Sequence, residues 1–445
     1  MKFLKILLLL TFSLSFAQKG FEINDAKKTV IPFKLINNLI FLPLEINGVK
    51  LNFLLDSGVN ETILFSLEDK EVNFNDTEKI KFSGLGESMD IEGLKSENNL
   101  VSIGKNFRDE NHTIFVILDE RINFSSHVGI PVNGIIGYHF FKNHPIDIDF
   151  ISHKITVYNS PEFFKKRSRR FKEFPITIEG NKPYMEADVE MTSKKVSSKM
   201  LLDLGNSDAV WLFPKLIEDF VYNRPNIEDY LGQGFNGDIF GKRSRIHRLY
   251  IGDFIFEKPL SAMPDEYSIQ NLKLVPDRKG SIGSDIFRRF QVIFDYPGNK
   301  VYLRKNKHFN DPFLFNKSGL DIQQDGMTWQ KDLVKINTSK VKQSAEENNL
   351  IYRDDKFAYN FVLKPKFSVA GCRKDSPCFS AGIQKGDEII TINKKQVGDL
   401  TLAKINEMLK EEDGTVLMFE VLRNNNFTKT FKITLKDPIP YQDAD

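Results

Sequence analysis

Segment 49–58, VKLNFLLDSG, aligns without a gap on segment 196–205, VSSKMLLDLG, and the pairing continues down the chain. GLGESMDIEGLKSENNLVSIG (84–104) aligns on GQGFNGDIFGKRSRIHRLYIG (232–252), and GIIGYHFF (134–141) on GSIGSDIF (280–287). The three blocks fall in the same order at offsets of 147, 148 and 146 residues, and the last offset carries Asp149, Lys154 and Val157 onto Asp295, Lys300 and Leu303. This collinearity implies one ancestral unit of about 130 residues used twice, over 30–160 and 171–305.

The units read as β structure. NLIFLPLEI, VKLNFLL, TIFVIL and HKITVY in the first, and MEADVEM, KMLLDL, RLYIG, FQVIFDY and NKVYLRK in the second, are short apolar or alternating runs rich in β-formers. Turn residues such as Asn47-Gly48 and Pro297-Gly298-Asn299 separate them. Helical segments are few and short, the clearest being GYHFFKN after the first Ile-Ile-Gly. The basic run KKRSRR (165–170) reads as a solvated linker between units, with a docking patch as the alternative.

Each unit delivers an aspartate from an apolar strand into a tight turn, Asp56 before Gly58 and Asp203 before Gly205. Glycine lets the backbone fold close there. Two units packed about a pseudo-twofold axis would bring the carboxyls side by side, where they cannot both ionise cheaply and one proton is shared. The ionised member can then take a proton from water while the protonated one polarises a carbonyl, which is general acid–base hydrolysis of an amide.

Asp56-Ser57-Gly58 resembles the Asp-Ser/Thr-Gly triplet of retropepsin-like aspartic proteases. Gly134-Ile135-Ile136-Gly137 and Gly280-Ser281-Ile282-Gly283 are similar to that family's second signature, a hydrophobic-hydrophobic-Gly turn. The resemblance spans about 270 residues and implies two acid-protease β-barrel lobes related by a pseudo-twofold in a mainly β chain. It implies Asp56 and Asp203 as the catalytic pair, braced by Ser57, Gly58 and Gly205, with flap hairpins around Gly84, Gly86, Gly234 and Gly237. It implies no metal and no organic cofactor. With both aspartates in one chain, catalysis is expected of a monomer acting on a polypeptide substrate.

The second triplet departs from this pattern, because Leu204 stands where the family has Ser or Thr. The missing hydroxyl is a bracing group, and losing one such bond costs about 1 kcal/mol if no donor is stranded. Two readings follow: an active endopeptidase, or a peptide-binding protein whose lobes have lost activity. A third is a structural envelope protein. Asp203 could also be only a turn-forming residue, although the repeat places it on Asp56. His139 and His144 lie off the spacing of a helical metal pair, and G-x-S-x-G and H-E-x-x-H motifs are absent.

After residue 305 the pattern changes. SPCFSAGIQKGDEIITIN (376–393) precedes the amphipathic LTLAKINEMLK (400–410), with Leu402, Ile405, Met408 and Leu409 on one face, and then two strands. This resembles a PDZ domain of the bacterial kind, over 313–437, with a polar insertion at about 321–360. The resemblance implies an α+β module that adds an extended peptide to a sheet edge, with Gly319 and Leu320 as candidates for capturing a C-terminal carboxylate. The insertion could cover that groove, leaving a packing domain. Cys372 and Cys378 could close a small disulfide loop or remain thiols.

Lys2 and Lys5, the run ILLLLTFSLSF and the small residues Ser15 and Ala17 make 1–17 a secretory signal peptide, cut near Ala17/Gln18. The run is shorter than the roughly 20 residues of a membrane span. The mature chain is therefore expected outside the cytoplasm, secreted or periplasmic. A net charge of +2 points to neither nucleic acid nor an anionic membrane.

Overall fold

In the computed structural model, residues 20–83, 90–117, 123–191, 194–217, 224–234, 237–269, 274–335, 357–424 and 427–441 are described. The chain is mainly β. The expected signal peptide, 1–17, lies outside the described residues, among which no helix is long and apolar enough to cross a membrane.

The sequence repeat is a structural repeat, strand for strand. Val49–Leu55 lies parallel to Gly134–Ile136, with Leu55 beside Ile136. Lys195–Leu202 lies parallel to Arg278–Ile282, with Leu202 beside Ile282. On the far side, Thr62–Leu64 and Val210–Leu212 run antiparallel to those same inserted strands. The turns that follow must accommodate this threading. A Cβ on Gly137 would lie 2.0 Å from the Val59 carbonyl oxygen, and one on Gly283 would lie 2.2 Å from that of Asp208. Only glycine fits either position.

The repeat extends to the hairpins. Thr77–Ser83 pairs with Asp90–Ile103, and Asn226–Gly234 with Gly237–Arg245. The returning strands pair in matched register, Leu94 opposite Val116 in one unit and Lys242 opposite Met263 in the other.

A six-stranded sheet joins the units, three strands from each. At its centre Ile146–Asp149 runs antiparallel to Phe290–Asp295, from Ile146–Phe294 to Asp149–Gln291. Outward, Pro32 faces Lys154 on one side and Pro175 faces Lys300 on the other, the register a twofold axis demands. One apolar core runs through both units, including Phe53, Leu55, Ile148, Leu202 and Val292. Fully burying each such side chain contributes about 1.5–3 kcal/mol.

The basic run is a largely exposed linker between the units, and its first part is helical. Lys165–Ser168 complete the Pro161–Ser168 helix, and Arg167 donates from Nε to buried Asp147 at 2.7 Å. Pro161 at the start of this helix and three basic residues in its last turn suit its two ends, so local charge favoured helix over coil.

The C-terminal module has its own core, with Phe367, Ile392, Ile405 and Phe419 fully buried. Leu320–Lys335 and Phe357–Cys372 form one edge of its sheet, followed by Glu388–Ile392, Val416–Arg423 and Phe427–Thr434. The expected insertion is in part a continuation of the first two strands, which pair as far as Lys335 opposite Phe357; residues 336–356 lie outside the described residues. Helix Pro377–Ala381 starts at the Ser376 cap and ends at Gly382 (φ 86°). The Thr401 hydroxyl accepts from Lys404 N–H to begin Leu402–Met408. Cys372 and Cys378 are joined as a disulfide.

The module is tied back to the second unit. Arg289, fully buried, donates from Nε to the Asp285 carbonyl at 2.8 Å and covers the Phe313 ring at 3.8 Å. Phe313, Phe315 and Ile439 join the main core, and Arg245 Nε donates to the Ile439 carbonyl at 3.1 Å.

Candidate active site

Asp56 and Asp203 leave equivalent strands and enter equivalent turns. Asp56 N–H donates to the Ile136 carbonyl at 3.0 Å and Asp203 N–H to the Ile282 carbonyl at 2.9 Å. Each carboxylate accepts the N–H two residues on, Gly58 to Asp56 Oδ1 at 2.6 Å and Gly205 to Asp203 Oδ1 at 3.1 Å. These bonds fix both carboxyls before any substrate is present.

The two side chains meet across the axis. A Cβ on Gly58 would lie 3.1 Å from both Asp203 Oδ1 and Asp56 Oδ1. A Cβ on Gly205 would lie 2.2 Å from Asp56 Cγ and Oδ2. Each glycine is thus the floor under the opposite carboxyl, a stronger requirement than the turn alone. Burial, followed by the Asp203 charge, raises the Asp56 carboxyl well above the ordinary value. Burial also raises Asp203, but Arg278 and Lys182 oppose it and the hydrogen bond from Asp56 favours its ionised form. Both carboxyls are thus held towards the protonated form, and the pair titrates as a unit.

The brace is one-sided. Ser57 Oγ is buried, donates to the Leu202 carbonyl at 2.7 Å and accepts from Leu204 N–H at 2.9 Å. Leu204 is fully buried in the main core, and its carbonyl accepts from Ser284 Oγ at 3.0 Å. Asn206 and Ser207 also contribute polar contacts at this loop: Asn206 Oδ1 accepts from Asp208 N–H at 3.0 Å, and the Ser207 carbonyl accepts from Asn38 of the first unit at 2.9 Å.

Three residues near the pair carried no signal in the repeat. Lys182 acts on both carboxyls and Arg278 on Asp203. The Tyr296 hydroxyl is buried without a hydrogen-bond partner, and both carboxyls help raise its pKa far above the ordinary value, after burial itself. Tyr138 lies 6.2 Å from Tyr296, ring to ring.

Of the flap candidates, Gly84 and Gly86 lie outside the described residues, while Gly234 and Gly237 face each other at the end of their hairpin. This second hairpin turns towards the C-terminal module. Tyr230 and Phe240 from it, with Phe315, Leu320, Asp321 and Arg373, line a cleft of about 450 Å³. Arg243 anchors the hairpin to the loop after Asp203, donating to Asp229 at 2.8 Å and Asp208 at 2.6 Å.

In the module, Gly319 N–H donates to Asn316 Oδ1 at 3.2 Å and Leu320 N–H to Ser318 Oγ at 3.0 Å. Both candidate carboxylate donors are thus engaged internally, and Asp321 and Asp229 lie beside them in the same cleft. Leu320–Lys335 is the edge of the sheet, where an added peptide strand would pair. The short Ser125–Val128 helix of the first unit packs against that strand and against Leu402–Met408. Gly129 (φ +79°) sits so close that a Cβ would lie 2.9 Å from Leu402 Cβ, and His127 lies 3.8 Å from Asp321. What lies against the groove is therefore a piece of the first unit, and sequence reading named only the insertion for that place.

Among the described residues no group of three or more His, Cys, Asp or Glu side chains could hold a metal ion. Residues 360–435 match the PDZ domain family model, so the C-terminal module contains a PDZ domain, a fold associated with peptide binding. No curated protein matches the chain.

Proposed function

We propose that the chain is an aspartic endopeptidase with two retropepsin-like lobes in one polypeptide and a PDZ domain that regulates it or binds peptide. The observation that carries this reading is the meeting of Asp56 and Asp203 across the twofold axis, where burial raises both carboxyls and like charge raises Asp56 further. Asp203, whose charge Arg278 and Lys182 favour against the effect of burial, takes a proton from water as that water adds to the scissile carbonyl carbon. Asp56 gives its proton to the carbonyl oxygen. The tetrahedral diol then collapses, the C–N bond breaks, and a proton passes to the departing amine. The substrate is an extended polypeptide lying between the lobes, and the signal-peptide pattern of 1–17 supports a location outside the cytoplasm, secreted or periplasmic.

The one-sided brace at Ser57 and Leu204 favours a second reading, a peptide-binding protein without activity. Incubating the purified chain with a denatured, unstructured protein at mildly acid pH separates the two. Cleavage that disappears in Asp56→Asn and in Asp203→Asn supports the protease. Binding without cleavage at any pH supports the binder.

A further inference from the structure

The two units present equivalent positions beside the carboxyls and fill them with opposite chemistry. Leu39, opposite Ile36 in its hairpin, corresponds to Lys182, opposite Glu179. Phe41 and Tyr184 pair with Leu54 and Leu201, each two residues before a dyad aspartate. Ile135 and Ser281 lie beside those leucines in the parallel strands. Val132 and Arg278 precede Asn133 and Lys279, whose carbonyls accept from Phe65 N–H and Phe213 N–H in turn.

In the first unit these side chains form an apolar cluster, with Leu54, distinct from the main core. In the second unit they are Lys182, Tyr184, Arg278 and Ser281. The Ser281 hydroxyl is buried with no hydrogen-bond partner. Lys182 and Arg278 are half-buried; the Asp203 carboxyl acts on both, Asp56 also acts on Lys182, and Tyr184 hydrogen-bonds Arg278, but among the described residues neither cation closes an ion pair within 4 Å. Arg278 Nε reaches only a backbone oxygen, that of Gly280 at 3.2 Å, and its guanidinium lies 5.2 Å from the Phe213 ring centroid. Burying two cations beside a dyad that retains a proton leaves their charge incompletely balanced, which is unfavourable. A purely structural wall would carry the apolar residues of its counterpart.

Building on the proteolytic reading, we propose that the second unit's wall binds an acidic side chain of the substrate. The preferred substrate is then a polypeptide with an apolar residue against the first unit and an Asp or Glu against the second, across the scissile bond. Arg278 supplies a planar fork suited to a carboxylate, and Lys182 a second charge near the dyad.

The test uses the purified full chain and quenched-fluorescent peptides identical except for Glu, Gln or Lys at one position beside an apolar residue. Cleavage and, in the Asp56→Asn variant, equilibrium binding are both measured. Glu is expected to exceed Gln by about tenfold in kcat/KM or in affinity, as a charge-assisted contact implies. Both residues also act on the dyad, so the preference is read as the Glu-to-Gln ratio in equilibrium binding to the Asp56→Asn chain: Arg278→Gln and Lys182→Met should bring that ratio to about one whatever they do to kcat, and Arg278→Lys, which keeps the charge, should retain part of it. Charge-dependent binding without cleavage by the parent chain would remove the protease reading and leave the acidic subsite standing. Equal handling of Glu and Gln, or a Glu preference that survives both variants, overturns the inference.

Discussion

The Ser57 hydroxyl reaches across the twofold axis to Leu204, accepting its N–H at 2.9 Å while donating to the Leu202 carbonyl at 2.7 Å. One hydroxyl thus braces two loops that a symmetric pair of hydroxyls would brace twice. Ser57→Ala strands a buried N–H and a buried C=O and should cost about 2–4 kcal/mol, read as a lower urea midpoint with unchanged m. Leu204→Ala should cost a similar amount for a different reason, the cavity left in the main core, about 2–5 kcal/mol.

Asp56→Asn should raise stability at neutral pH. Burial, then like charge, holds the Asp56 carboxyl above its unfolded value of about 3.9, and burial does the same to Asp203, so the folded state binds protons more tightly than the unfolded one. Stability is therefore fullest below that pH and falls as pH rises through the raised folded values. Thermal melts at pH 7 should show the variant about 3 °C or more above the parent, with the gap closing near pH 3. An equal offset at both pH values would contradict the shared-proton account.

Gly205→Ala should abolish function with little need for global unfolding. The new methyl would fall 2.2 Å from Asp56 Cγ, so the carboxyl must leave its position. The expected outcome is a loss of at least about a hundredfold in cleavage, as a misplacement near 1 Å implies, with the melting transition still cooperative.

Sequence and structure agree most closely where both copies kept the same residue. The Asp-x-Gly turns and the Ile-Gly turns repeat in sequence because Gly137, Gly205 and Gly283 meet backbone or a carboxyl too near for any Cβ, and Gly58 meets both carboxyls at a tight 3.1 Å. The strands were legible from alternation because one apolar core runs beneath them. Lys182 and Arg278 were not legible, since a repeat is found by identity and the residues beside the dyad have diverged to Leu39 and Val132 in the other copy. Tyr296 was hidden for the same reason, facing Phe150 in the alignment. The packing of Ser125–Val128 on the PDZ groove joins segments nearly two hundred residues apart, and no local pattern encodes it.

That packing makes its own prediction. Gly129→Val adds bulk against Leu402 at a position of positive φ and should lift the Ser125–Val128 segment from the groove. Hydrogen exchange in the full chain should then speed up in 320–330 and 402–408 while 146–149 and 290–295 stay protected. A peptide that pairs with the strand edge should bind this variant more tightly than the parent, by titration calorimetry.

The shared proton is tested most directly by the pH dependence of kcat/KM for one quenched-fluorescent peptide, in the parent chain, Asp56→Asn and Asp203→Asn. The account predicts a bell with an acid limb, where the pair takes up a second proton, and a basic limb, where it loses its last, and no cleavage in either variant. Cleavage that persists in one of the variants, or a rate indifferent to pH across both limbs, would contradict it.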